Sequence, residues 1–127
     1  MELVDSFQIE TTNPCGEQPL PKHGACGLCS INLSEYVVNP FDDENIYVDY
    51  DALKEDIYYV VKAMDEIVDE NLPFHALKEQ RDVATKFRNL GIGVMGVHDM
   101  MIKMGMVYGN GQSISFVQHL MCYIFKH

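Results

Sequence analysis

Residues 13–33 read NPCGEQPLPKHGACGLCSINL, and they hold three of the four cysteines, three of the five prolines and three of the nine glycines. The reactive side chains therefore coincide with the turn-forming ones. In an extended segment alternate residues share a face, so Asn13, Cys15 and Glu17 converge on one side. Pro14 biases Asn13 away from helix, and Gly16 permits close backbone approach. Pro19 and Pro21 deny regular strand pairing, which predicts a protruding loop. A thiol beside a hydrogen-bonding amide and a general base makes a catalytic set. The same residues also describe a Pro/Gly turn around a buried thiol, and spacing alone leaves both readings open.

Outward from this stretch, the 127 residues are 47% apolar, enough for one domain with a modest core. The first residues, MELVDSFQIETT, carry no basic region followed by an apolar run, and no later stretch approaches ~18 consecutive apolar residues. No export signal or membrane span is expected, and the default compartment is cytoplasmic. There, cysteines act as thiols, redox pairs or metal ligands rather than structural disulfides. Of the net charge of −10, residues 41–72 contribute most, with eleven acids against two bases. This excludes the basic stripe of a nucleic-acid groove and reads as a solvated acidic helix face.

Residues 5–12 and 28–38 read as strands flanking the loop, the second ended by Asn39-Pro40 and followed by an acidic connector, 41–49. A helix is expected over 51–71. Leu53, Ile57, Val60, Val61, Met64, Ile67 and Val68 recur at helical spacing, with Asp49 or Asp51 as cap and Leu72-Pro73 as stop. Residues 77–89 form a polar helix. GIGVMG at 91–96 matches the dinucleotide fingerprint formally, but a helical stretch precedes it and no acid follows Asp99. Its glycines are instead expected to serve close helix packing. Methionine-rich 94–106 and apolar 112–125 complete the helices, separated by Gly109-Asn110-Gly111. His23, His98 and His119 lack paired spacing and read as packing or surface residues. Cys122 reads as a small buried apolar group.

Three strings carry a resemblance: NPCGEQPL, then ACGLCSINL, then RNLGIGVMGVHDMMIKMGMVYG. In order and spacing, from about Thr11 to Gly109, the chain resembles the catalytic large chain of ribonucleotide reductases. Within them it is most similar to the adenosylcobalamin-dependent class II enzymes. The resemblance implies an α/β fold, a segment of the ten-stranded α/β reductase barrel with its finger loop, mostly helical after residue 50. Residues 1–40 would supply strands and finger loop and 41–127 helices, as a single fragment of that barrel.

By match of motif, Cys15 is the radical cysteine. Its thiyl radical would abstract the 3′-hydrogen of a ribonucleotide, Glu17 would take the 3′-hydroxyl proton, and Asn13 would hydrogen-bond the sugar hydroxyls. Cys26 falls where the family keeps one member of its reducing pair; the other lies upstream of the region covered. The radical source implied is adenosylcobalamin, or alternatively an iron or manganese partner chain. Implied partners are the ribonucleotide, the missing parts of the reductase chain and a thioredoxin-like reductant, with no nucleic acid and no membrane. The expected product is deoxyribonucleotide for DNA replication, and an isolated fragment is expected to be inactive.

Relatives commonly read SCNLGSINL where this chain has Gly27 in place of asparagine and Cys29 in place of glycine. The new thiol creates a CxxC with Cys26. Two rival readings follow: a small zinc module held by Cys15, His23, Cys26 and Cys29, or a thiol-redox module exchanging Cys26 and Cys29.

Overall fold

A computed structural model describes residues 8–127. The chain mixes strands and helices, as expected of an α/β fold. The strands are β1 (Thr11–Thr12), β2 (Pro19–Leu20), β3 (Gly27–Asn32), β4 (Val37–Val38), β5 (Tyr47–Val48) and β6 (Leu90–Met95). The helices are α1 (Tyr50–Asn71), α2 (Lys78–Phe87), α3 (Val97–Lys103) and α4 (Gly111–Lys126). Among the described residues the strands form three two-stranded sheets, β1-β2, β3-β6 and β4-β5. The beginning of the strand expected over 5–12, residues 5–7, lies outside the described residues.

Two compact units emerge, one comprising the chain up to Cys29 with Val61–Ile92, the other Ser30–Val60 with Gly93–His127. The first contains the β1-β2 hairpin, the second half of α1 and all of α2. Leu20 and Met64 are buried in it. Arg88 ends α2 in the left-handed conformation and its N–H bonds the Ala84 carbonyl. From there its guanidinium reaches Asp65 Oδ1 at 2.6 Å and Asp69 at 2.6 and 3.0 Å. These carboxylates stand four apart on α1, so one planar fork ties the end of α2 to two successive turns.

The second unit holds most of the buried apolar side chains, with Leu33, Leu53, Met100 and Leu120 fully enclosed. Burying each contributes about 2 kcal/mol. Helix α1 starts where Asp49 Oδ1 accepts the Ala52 N–H at 2.9 Å, the cap expected from the sequence. Of its expected apolar stripe, Leu53, Ile57 and Met64 are buried while Val61 and Ile67 remain exposed. Asn110 caps α4, its side chain accepting the Ser113 N–H at 2.8 Å. Lys103, in the last turn of α3, donates to the Ser34 carbonyl at 2.7 Å. No helix among the described residues is long and apolar enough to cross a membrane.

Three sequence expectations are corrected here. The strand over 28–38 is broken after Asn32, whose side-chain oxygen accepts from the Ser34 N–H and hydroxyl and opens a 3-10 turn, Leu33–Tyr36. The acidic connector contains β5, which pairs antiparallel with β4 as Val37↔Val48 and Val38↔Tyr47. Its apolar pair Tyr47-Val48 is hidden among acids in the sequence. The glycine string, expected within a packed helix, is strand β6 instead. Leu90, Ile92 and Val94 alternate with Gly91, Gly93 and Met95, a period of two that suits a strand beside β3. The helix that follows is correspondingly short.

Candidate active site

The motif at residues 13–18 caps the β1-β2 hairpin. Thr11 pairs with Leu20 and Thr12 with Pro19, so the proline-limited ladder is two residues long. Leu20 and Pro21 are buried and anchor its base. At the tip, Asn13 accepts from the Gly16 N–H at 3.0 Å, closing a four-residue turn with Pro14 and Cys15 in the middle and Gly16 at φ 80°. Proline second and glycine fourth are what such a turn favours.

Asn13 organises the tip with its whole amide. Its Oδ1 accepts the Gln18 N–H at 2.9 Å, and its Nδ2 donates to Glu17 Oε1 in a short hydrogen bond. The pairing of amide and carboxylate is thus present, but it comes from a turn. The extended alternation expected for Asn13, Cys15 and Glu17 is not what the chain adopts, because Pro14 and Gly16 fold it back on itself. Cys15 sits exposed at the apex.

Cys26 lies just before β3. Its backbone neighbours are held by Asn89, whose carbonyl accepts the Gly27 N–H at 3.3 Å and whose Nδ2 donates to the Ala25 carbonyl at 3.4 Å. The thiol donates to the Gly27 carbonyl at 3.5 Å. Burial, and after it the negative charge of Glu17, push the Cys26 thiol up from its ordinary value. The loop carboxylate is therefore within electrostatic reach of this sulfur. A cavity of about 290 Å³ lies alongside, lined by Cys26, Met64, Phe74, His75, Arg88 and Asn89 among others.

The zinc reading is not supported. Among the described residues no group of three or more His, Cys, Asp or Glu side chains could hold a metal ion, so Cys15, His23, Cys26 and Cys29 do not assemble a zinc site. Cys26 and Cys29 are free. Cys29 lies within β3, whereas Cys26 precedes it. Cys29 shares its face with Gly27 and Ile31; Gly27 lies against Met64 of α1. Gly91 and Gly93 lie inside β6 rather than in a strand-to-helix turn, so they form no dinucleotide cradle. His98 packs edge-on against Tyr108 and His119 bonds the Ser115 carbonyl. Asn89 is the residue that sequence reading passed over; its position one residue before the alternating stretch was the available signal.

The family model described as "Ribonucleotide reductase, barrel domain" matches residues 3–127. The chain is 38% identical over 117 residues to the vitamin B12-dependent ribonucleoside-diphosphate reductase of Thermoplasma acidophilum, covering 91% of this chain and 14% of that protein. The enzyme of the same name from Mycobacterium tuberculosis is 34% identical over 115 residues, 90% of this chain and 15% of that protein. The ribonucleoside-diphosphate reductase subunit alpha of Chlamydia trachomatis is 31% identical over 94 residues, 74% of this chain and 8% of that protein. The chain thus spans about one seventh of the length of the two B12-dependent relatives.

Proposed function

The chain belongs to the ribonucleotide reductase barrel-domain family, and on that premise we propose that it supplies the finger loop and one reducing thiol of a reductase that converts ribonucleotides to deoxyribonucleotides. The observation that carries the reading is the loop itself: an exposed Cys15 on a turn whose ends join Asn13 to Glu17, with Cys26 in reach of the Glu17 charge. The ten-stranded barrel is the proposed setting, with 1–40 giving strands and finger loop and 41–127 mainly helices.

A thiyl radical at Cys15 abstracts the 3′-hydrogen of the bound sugar. Glu17 takes the 3′-hydroxyl proton, its carboxylate aimed by the Asn13 amide; Asn13 also meets the sugar hydroxyls. Cys26 and a second thiol then form a disulfide, releasing two electrons and two protons as the 2′-hydroxyl leaves as water. Burial and the Glu17 charge favour the protonated thiol, the form that carries the needed hydrogen. The names of the relatives point to a ribonucleoside diphosphate as substrate and to adenosylcobalamin as radical source. Four cavities among the described residues, of about 270–300 Å³ each, sit at the lower limit of small-ligand sites and are too small for a corrinoid. No residue of this chain is assigned to that group. The proposed setting is the cytoplasm, with a thioredoxin-like reductant and the remaining reductase segments as partners in supplying DNA replication.

The test is a ribonucleotide reduction assay with adenosylcobalamin and a dithiol, run on this chain alone and mixed with products of neighbouring reading frames. Activity is expected in the mixture and lost on Cys15→Ser. Turnover in the mixture that survives Cys15→Ser refutes the assignment.

A further inference from the structure

Gly91 of β6 lies directly against Cys26. A Cβ built at Gly91 would stand 3.1 Å from the Cys26 sulfur and 2.5 Å from Leu28 Cδ2. Gly91 is not among the glycines with positive φ, so its backbone accepts any L residue and the reason for glycine is space. Two residues earlier, Asn89 bonds the Ala25 carbonyl with its side chain and the Gly27 N–H with its carbonyl. The backbone is thereby held on both sides of Cys26, and the gap at Gly91 leaves lateral room for the sulfur.

We infer that Asn89 and Gly91 are positioning residues for Cys26, fixing the backbone around it and reserving the space its sulfur occupies. The inference rests on the reading of Cys26 as a reducing thiol. Disulfide geometry makes such seating matter: the Cβ atoms of a bridge stand about 3.5–4.5 Å apart, and exchange depends on access to the attacking sulfur. A sulfur displaced by one methyl radius meets its partner poorly.

The test follows the thiol itself, with no nucleotide present. In a Cys15→Ser, Cys29→Ala, Cys122→Ser background Cys26 is the one remaining thiol. Its thiolate attacks an aromatic disulfide reagent, forming a mixed disulfide and expelling a coloured aryl thiolate. Rates are taken across pH, so that access is read from the plateau and not from the midpoint.

Leu28→Ala removes the closer contact, so adding Gly91→Ala to it places a methyl against the sulfur alone. This pair is expected to react about threefold or more slower than Leu28→Ala by itself, the sulfur being partly covered. Asn89→Ala removes the side-chain tie to the Ala25 carbonyl while the backbone bond to the Gly27 N–H stays, and the looser backbone before Cys26 is expected to raise the rate about threefold or more. General loosening would raise both rates, so opposite signs identify positioning. Unchanged rates, or a rise in both, overturn the inference. Should the glycine variant lose its helical circular dichroism, Asn89→Ala decides alone, and an unchanged rate there is the overturning result. Failure here leaves the reductase reading standing, because that reading is tested by nucleotide turnover.

Discussion

Replacing Gly96 by alanine measures how tightly the β6–α3 junction is built. Gly96 sits at φ 72°, and left-handed backbone costs a residue with a Cβ about 1–2 kcal/mol. The added methyl would also stand 2.2 Å from Asn32 Oδ1 and 3.3 Å from Ser34 Cβ. Asn32 must swing away, and with it goes the acceptor for the Ser34 N–H and hydroxyl. Losing such a cap costs about 1 kcal/mol. The two losses together come to about 2–3 kcal/mol. Gly109 provides the control, since it has φ 82° with nothing within 4 Å of its built Cβ. Gly109→Ala bears the conformational cost alone. In urea denaturation both variants should lower the midpoint at unchanged slope, Gly96→Ala by about 1 kcal/mol more than Gly109→Ala. Equal losses would refute the close approach to Asn32, and no loss in either would refute the left-handed assignments.

Glu17→Gln removes the negative charge that helps hold the Cys26 thiol up, so thiol titration should show Cys26 ionising at lower pH than in the parent. Asn110→Ala deletes the side-chain acceptor at the start of α4 and should cost about 1 kcal/mol in chemical denaturation. Arg88→Met breaks the tie between α2 and α1. Arg88 lowers the Asp69 pKa, so its contribution is present above the ordinary carboxylate range and is lost as pH falls through the depressed value. Thermal melts should therefore show the variant less stable than the parent at neutral pH, with the gap closing in acid and narrowing in high salt.

Much of the helical part was legible because its signals are local. The stripe on α1, the Asp49 cap and the Pro73 stop are each read from a few adjacent residues, and so are the glycines around residues 105–111. Strand β6 was missed because a helical segment precedes it and methionine-rich helix follows. Its alternation of Leu90, Ile92 and Val94 with glycines was hidden inside an apparent fingerprint. Strand β5 was missed because two apolar residues among acids carry no periodicity, and its pairing with β4 is a tertiary fact. The loop motif gave Asn13 and Glu17 as partners through the wrong geometry: Asn-Pro-Cys-Gly is a turn signal first and an extended one second. The seat that Asn89 and Gly91 make for Cys26 depends on which strand lies beside β3, which no local pattern reveals.

The most direct test transplants this chain into a working relative. Residues of the Thermoplasma acidophilum reductase matched by this chain are replaced by it, and the chimera is assayed for ribonucleoside diphosphate reduction with adenosylcobalamin and a dithiol. The account predicts turnover in the chimera and none after Cys15→Ser in the transplanted segment, with the variant still folded. A folded chimera that reduces nucleotide equally well with serine at position 15 would contradict it.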